Sequence, residues 1–184
     1  MTPMTAKASF EPPDNFVGQE DFRSAMRRLA GGVTLVTAGQ GESRRGLTAT
    51  AVCSLSMDPP SLLVSINRQS ECLAVIDKMG AFGVNIISQE HKLLSEKFAS
   101  RCGLNGCEKF AAGQWSSSFV NSVPLLDDAL VAIDCRVLDM IERGSHMIVI
   151  GGAQEVRAGG RVRDSVLVYW QGAYSVLEAA GVRR

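Results

Sequence analysis

Hydrophobic and polar positions alternate along most of the chain after residue 32, which is the pattern of half-buried β-strands. The runs with this pattern are VTLVTA, LTATAVCSLS, SLLVSIN, AFGVNIIS, ALVAIDCRVLDMIE, HMIVIGGAQEVR and VLVYWQGAYSVL. The first three have connections of hairpin length, which favours antiparallel pairing. Six or more strands, few helices and no regular βα alternation predict a mainly β, closed antiparallel barrel.

Three segments have the helical spacing of apolar residues instead. DFRSAMRRLAGG places Phe22, Ala25, Met26 and Leu29 on one face and ends in a glycine pair. ECLAVIDKMG and QEHKLLSEKFAS predict two more helices. Residues 1–18 are Pro-rich, polar and aperiodic, so we expect a flexible N-terminal arm followed by one domain over residues 19–184.

The charge balance excludes several partners. The 184 residues include 19 basic and 19 acidic side chains, which leaves no net field to attract nucleic acid or an anionic membrane. No run approaches the roughly 20 apolar residues of a membrane span, and the N-terminus lacks the apolar core of a signal peptide. We therefore expect a cytoplasmic protein that binds neither nucleic acid nor membrane.

The five cysteines are an odd number without a regular framework, which is typical of reduced thiols in the cytoplasm. Cys102 and Cys107 flank GLNG and, with His91, supply half of a possible metal site. Structural zinc takes four ligands, and the chain offers no second close pair. We therefore expect buried or loop cysteines and no metal.

The stretch RRGLTATAVCSLSMDPPSLLVSI, residues 44–66, is unusual for barrel strands because its residues are so small. Thr48, Ala49, Thr50, Ser54 and Ser65 occupy positions where Leu or Ile normally fill a core. Either these strands face solvent on one side, or a ligand fills the space that their side chains leave open.

The chain lacks the sequence motifs of several enzyme classes. The chain has two histidines and no G-x-S-x-G, which disfavours a hydrolase triad. It has no Walker lysine loop. The nearest approach to a dinucleotide fingerprint, GQGESR, has Arg44 at the third glycine and precedes a strand, which excludes a Rossmann site.

Five blocks occur in an order that matches one family. They are FRSAMRRLAGGVTLVTA, GLTATAVCSLSMDPPSLLVSINRQS, FGVNIIS followed by SEKFAS, GSHMIVIGGAQEV, and LVYWQGAY. From about Phe22 to Leu177 the sequence resembles the short-chain flavin reductases, the reductase partners of two-component flavin monooxygenases. The resemblance implies the FMN-binding split barrel, a Greek-key antiparallel fold with a few flanking helices.

The resemblance also implies where a flavin binds. The matching residues along the ring and its side chain are Thr48, Ala49, Thr50 and Ser54. The residues that match ribityl and phosphate contacts are Ser65, Asn67, Arg68 and Ser70. Ser70 also precedes a predicted helix, so its alternative role is an N-cap and nothing more.

His146 begins a strand, and a single histidine there is by itself more often a surface or core residue than a catalytic one. The resemblance favours the catalytic role, since the family's Gly-hydroxyl-His block places its histidine beside the flavin and the nicotinamide. Phe82 and Tyr174 are further candidates for the flavin pocket. Their alternative role, like that of Asn85 and Tyr169, is packing.

The function implied by the resemblance is that of an NAD(P)H:flavin oxidoreductase. Such an enzyme passes a hydride from NADH or NADPH to FMN or FAD, and reduced flavin goes to a separate oxygenase. Because hydride transfer between two cofactors depends on positioning, no catalytic triad is needed. The family is typically homodimeric. A non-catalytic flavin carrier or sensor barrel is the alternative, and NADH turnover with added flavin distinguishes the two.

Overall fold

The computed structural model describes residues 15–99, 106–159 and 165–178. The helices are α1 (Gln19–Met26), α2 (Glu71–Met79) and α3 (Lys92–Phe98), with short 3₁₀ helices at Gly41–Ser43, Gln89–His91 and Gly106–Ala111. The strands are β1 (Gly31–Gly32), β2 (Thr34–Ala38), β3 (Arg45–Ala49), β4 (Val52–Met57), β5 (Pro60–Asn67), β6 (Ala81–Ile86), β7 (Trp115–Ser117), β8 (Pro124–Leu126), β9 (Val131–Arg143), β10 (His146–Ala158), β11 (Ser165–Trp170) and β12 (Ala173–Glu178).

The main sheet has seven strands in the order β3-β2-β6-β9-β10-β5-β4, and every paired neighbour is antiparallel. Two smaller sheets, β1-β11-β12 and β7-β8, lie beside it. These features confirm the expected mainly β antiparallel barrel.

The barrel closes at a break between β3 and β4, which the sequence pattern did not predict. These strands follow one another in the chain, yet they form opposite edges of the sheet. The break lies at Thr50 and Ala51, and on its β4 side Ser65 N donates to Ala51 O at 2.9 Å, which extends the β4–β5 pairing by one residue. The prediction of one continuous strand over LTATAVCSLS is therefore wrong, because the chain must leave one edge to join the other.

Two clusters of buried apolar residues form the core. All five residues of β2 are buried, and successive side chains serve opposite faces of the sheet. Leu35 belongs to the cluster with α3, β8 and β11, whereas Val36 belongs to the barrel interior with α2. Burying each such side chain stabilises the fold by about 1.5–3 kcal/mol.

The alternation in β9 predicts Asp134 on the solvent side, and this prediction is wrong. Asp134 is fully buried, and its carboxylate accepts hydrogen bonds from Asn121 N at 3.0 Å and Asn121 Nδ2 at 2.9 Å. The β9–β10 register shifts between Ala153 and Glu155, next to the partner of Asp134. The extra residue, Gln154, lies on β10, so the side chains of β9 still alternate. Asp134 is buried because the face that it shares with Ala132 is covered by the segment that contains Asn121.

The amphipathic N-terminal helix forms, but it ends at Met26, before Leu29, and buries none of its own residues. Phe22 keeps 59% of its surface exposed. Residues 1–14 of the expected arm lie outside the described residues. None of the three described helices is long and apolar enough to cross a membrane.

Candidate functional site

Two adjoining cavities form one groove along β3. The first has a volume of about 320 Å³ and is lined by residues of β3, the start of α2 and the end of α3, namely Arg45, Gly46, Leu47, Thr48, Gln69, Ser70, Glu71, Cys72, Phe98, Ala99, Gly106 and Lys109. The second, of about 180 Å³, is lined by Val33, Thr48, Thr50, Ala99, Tyr169 and Tyr174. Because Thr48 and Ala99 border both, the groove runs from Lys109 to Tyr174.

The first end of the groove lies at the N-terminus of α2. Ser70 N donates to Asn67 O at 3.0 Å, which turns the chain directly from β5 into the helix. Ser70 occupies the N-cap position, but its side chain makes no capping hydrogen bond. The hydroxyl therefore does not serve the helix, and it borders the groove where the helix dipole favours an anion.

Two cationic side chains border the same end, and sequence reasoning missed both. Arg45 Nε donates to Glu71 Oε2 at 3.0 Å, while Lys109 Nζ donates to Gly46 O at 3.4 Å and Phe98 O at 3.3 Å. Lys109 is only 7% exposed. Arg45 was detectable as a cation beside the hydroxyl-rich stretch, whereas nothing in the periodicity around Lys109 marks it.

Burial shifts the pKa values of two side chains at this end of the groove, Lys109 and Cys72. Burial lowers the pKa of Lys109 from its ordinary value, and the nearby Cys72 and Glu71 act in the opposite direction. Burial raises the pKa of Cys72 to about 12, against the smaller effects of Lys109 and Arg45. The Cys72 thiol is thus neutral at physiological pH and is not a nucleophile.

An aromatic cluster supports the first cavity from below. The Phe98 and Trp115 rings stack with centroids 5.4 Å apart, and Phe110 meets both edge-on. Gly46 allows β3 to lie against this cluster, since a Cβ there would stand 2.4 Å from Phe98 Cε1. The absence of a side chain at Gly46 therefore sets the depth of the groove.

The middle and far end of the groove carry hydroxyls and rings. Thr48 Oγ1 donates to Ser95 O at 2.6 Å, which leaves its lone pairs as acceptors. Ala49 is buried, and its carbonyl accepts from Thr34 Oγ1 at 2.9 Å. Tyr169 and Tyr174 meet edge-to-face at 5.3 Å. The structure thus brings four predicted residues onto one groove: Thr48, Thr50, Ser70 and Tyr174.

A second group of predicted residues lies on the outer face of the barrel. Ser65 and Asn67 point to the same side of β5, and His146 is the direct partner of Asn67 on β10. His146 is exposed, with Nδ1 2.8 Å from Ser145 Oγ. Ser54 is also exposed, on β4. These residues do not line the groove described above.

Two predicted flavin contacts do not line the groove in this structure, and their role toward a flavin stays a prediction. The Arg68 guanidinium turns toward the β9–β10 connection, where Nη1 lies 2.5 Å from Glu142 Oε1 and 3.4 Å from Gly144 O. In this conformation its charge lies at that turn. Phe82 is fully buried in the barrel interior, with its ring against Gly151, so its role is packing.

The metal alternative gains no support from the described part of the chain. Within it, no three His, Cys, Asp or Glu side chains are grouped closely enough to hold an ion. His91 Nε2 instead lies 3.1 Å from Asp128 Oδ1. Cys102 lies outside the described residues.

Comparison with known proteins finds relatives of this chain by sequence. The FMN reductase (NADH) RutF of Agrobacterium fabrum is 36% identical over 157 residues, which cover 85% of this chain and 87% of the relative. The NADH:riboflavin 5'-phosphate oxidoreductase of Streptomyces pristinaespiralis is 35% identical and covers 86% and 89%, respectively.

Solved structures share the fold. A candidate flavin reductase of Haemophilus somnus superimposes with a TM-score of 0.81 at 32% identity, over 88% of this chain and all of that one (100%). A homologue of nitrilotriacetate monooxygenase component B from Mycobacterium thermoresistibile gives a TM-score of 0.79 at 28% identity, over 87% of each chain. The profile of the flavin reductase like domain matches residues 26–178. This chain therefore belongs to the flavin reductase family.

Proposed function

We propose that this protein is an NADH-dependent flavin reductase that uses FMN as its acceptor. A bound flavin would supply the hydride acceptor, its N5 atom, and NADH would supply the hydride from C4 of the nicotinamide, with NAD⁺ and reduced flavin as products. The chain's own residues bind and orient the two partners. Relatives named for NADH and for FMN or riboflavin 5'-phosphate support this choice over NADPH and FAD.

The observation that carries the proposal is the groove, which is cationic at one end and aromatic at the other. A flavin mononucleotide has the same order of parts: a phosphate, a polyhydroxyl chain and a flat aromatic ring. Arg45, Lys109 and Ser70 fit the phosphate, because a buried ammonium and a helix N-terminus both favour an anion. Tyr174 and Thr50 border the space for the ring.

Thr48 lies between the two ends and is assigned to the ribityl chain and the near edge of the ring. Its oxygen accepts hydrogen bonds while its proton is held by Ser95 O. The small Ala99 on the facing wall leaves the groove continuous at this point. An aliphatic side chain at either position would divide the two cavities.

His146 is assigned a positioning role on the open side of the ring. It shares the outer face of the barrel with Asn67 and Ser65, and Ser65 N bonds Ala51 O, one residue after the groove residue Thr50. An exposed imidazole there orients a nicotinamide amide or stabilises negative charge on the reduced flavin. Proton donation is not required, because the step transfers a hydride.

Reduced flavin produced in so open a groove is suited to release. We propose a separate oxygenase as its recipient, in line with the Mycobacterium relative named as a monooxygenase component. We further propose a homodimer in the cytoplasm. The exposed apolar side chains of α1, such as Phe22, support a contact between subunits.

The test is steady-state NADH oxidation with added FMN, FAD and riboflavin, alongside flavin binding measured by fluorescence quenching. We expect turnover that depends on flavin and is fastest with FMN and NADH. Tight FMN binding without any acceleration of NADH oxidation would identify a carrier instead. The absence of both flavin binding and NADH turnover would refute the reductase and the carrier functions alike.

A further inference from the structure

The cationic end of the groove also carries a carboxylate of the protein's own. Glu71 is the first residue of α2, follows Ser70 directly and lines the same cavity as Arg45 and Lys109. A carboxylate in the first turn of a helix interacts favourably with the helix dipole. Glu71 therefore lies in surroundings that would also stabilise a bound phosphate, and the assignment of the phosphate to Arg45, Lys109 and Ser70 gives Glu71 no role.

Backbone carbonyls and Glu71 together hold the Arg45 side chain. Its Nη1 donates to Glu42 O at 3.0 Å and to Arg44 O at 2.9 Å, which restrains the guanidinium. Its Nε donates to Glu71 Oε2 at 3.0 Å, as part of an ion pair. The Nε–H of Arg45 is thus the donor that a phosphate would have to take from the carboxylate or share with it.

The charge of Glu71 also reaches Lys109. Burial lowers the pKa of Lys109, whereas Cys72 and, less strongly, Glu71 raise it. One carboxylate therefore offsets part of the positive charge of both cations. A phosphate monoester carries a charge of about −1.5 to −2 at pH 7, so it is repelled by the same carboxylate.

The exposure of the ion pair allows the carboxylate to move aside. The Glu71 side chain is 68% exposed and that of Arg45 is 30% exposed, whereas Lys109 is buried. Exposed ion pairs contribute little to stability, so separating this one costs little. The buried ammonium keeps its place, and the Glu71 side chain can turn into solvent when an anion enters.

We propose that Glu71 competes with the flavin phosphate for Arg45 and thereby sets how tightly a phosphorylated flavin is held. The inference rests on the proposed function, because it places the phosphate at this end of the groove. The competition lowers the affinity for FMN and speeds its dissociation, while the ring site is unaffected. An enzyme that passes reduced flavin to a second protein needs such release, whereas a carrier that retains its flavin does not.

Glu71→Gln tests the competition, because it removes the charge and keeps the size of the side chain. Asp77→Asn, at an exposed position of the same helix, is the matched control. We expect Glu71→Gln to tighten FMN binding and to slow FMN dissociation about threefold to tenfold, in fluorescence titration and stopped-flow measurements. Riboflavin binding should be unchanged in both variants, and FMN binding should be unchanged in the control. The tightening should shrink at about 0.5 M salt, because exposed charges are screened.

A double-mutant cycle shows whether Arg45 carries the effect. In an Arg45→Met background, Glu71→Gln should tighten FMN binding much less, because the contested N–H is absent. The same tightening with and without Arg45 would overturn the proposed competition.

Inorganic phosphate tests the inference without flavin or turnover. Added phosphate should raise the melting temperature of Glu71→Gln more than that of the wild-type protein, since an anion that binds the folded state stabilises it. This result in a protein that does not oxidise NADH would refute the reductase function and leave the competition standing. Normal NADH oxidation, with FMN and phosphate binding unchanged in Glu71→Gln, would overturn the inference alone.

Two other outcomes would also overturn it. Weaker FMN binding in Glu71→Gln would mean that the carboxylate orients Arg45 for the phosphate and does not compete with it. Equal tightening of FMN and riboflavin would mean that the substitution acts on the ring site or on the fold of the groove.

Discussion

Replacement of Lys109 by Met tests whether this side chain binds the phosphate of FMN or only stabilises the fold. Lys109 is 7% exposed, and its Nζ donates to Gly46 O at 3.4 Å and to Phe98 O at 3.3 Å. A phosphate at this end of the groove would accept a charge-assisted hydrogen bond from the same ammonium.

The size of the effect follows from the missing charge-assisted hydrogen bond. Such a bond contributes about 1.5–3 kcal/mol, and each 1.4 kcal/mol is about tenfold in Kd. We expect Lys109→Met to weaken FMN binding about tenfold to a hundredfold. Riboflavin, which lacks the phosphate, should bind with unchanged affinity. Lys92→Met, on the exposed surface of α3, is the control with the same loss of charge.

The FMN affinity and the folding stability should each change with pH in a defined direction. Since burial lowers the pKa of Lys109, wild-type FMN affinity should fall as pH rises toward 10.5, and it should begin to fall earlier than an exposed lysine would predict. Riboflavin affinity should not follow this change. The unfolded chain binds more protons than the folded one between the lowered pKa and 10.5, so this group makes wild-type stability increase with pH across that window. The variant should lack that contribution.

Fluorescence titration with both flavins, together with thermal unfolding, tests the assignment. The melting temperature of Lys109→Met should change only modestly, because loss of the buried charge stabilises the fold whereas loss of the donor to Gly46 O and Phe98 O destabilises it. Equal weakening of FMN and riboflavin, or a large loss of stability, would show that Lys109 supports the groove wall and does not bind phosphate.

Three other changes test separate parts of the structure. His146→Ala should slow flavin reduction about tenfold to a hundredfold in stopped-flow measurements while FMN affinity stays the same; identical rates would remove His146 from the site. Gly151→Ala should destabilise the protein by about 1–3 kcal/mol in urea unfolding, because its Cβ would lie 2.5 Å from Phe82 Cζ, and an unchanged midpoint would contradict this packing. Iodoacetamide mass spectrometry should find the exposed Cys53 alkylated long before the buried Cys72, whose pKa is raised to about 12; comparable rates would exclude the packing described here.

The elements of this fold are predictable from sequence because each depends on local periodicity. The α2 helix has its apolar residues at helical spacing and ends at Gly80, which takes the left-handed φ of 68°. The closure of the barrel is not local in this sense. Nothing in the run from Leu47 to Ser56 indicates that its two halves pair with different strands on opposite edges of a sheet.

The same limit applies to the cations at the end of the groove beside α2. Arg68 stands two positions before Ser70 in the chain, so proximity in sequence made it the natural cation. The turn out of β5 sends its side chain to Glu142 instead. The buried cation comes from Lys109, 39 positions beyond Ser70, through a 3₁₀ segment whose placement depends on Phe110 packing in the core. The packing of this segment in the fold, and not a local sequence motif, places Lys109 at the groove.

The small residues after Arg44 have a structural reason as well as a ligand-related one. Where the chain passes from β3 to β4, β1 crosses so closely that a Cβ on Gly31 would stand 2.9 Å from Thr50 Cβ. Bulky side chains are excluded there by the closure of the barrel itself. The break that closes the barrel is thus also the point where Thr50 borders both the groove and a neighbouring cavity that is lined by Arg27 and Trp170. One change of sheet edge therefore leaves open space on both sides of Thr50.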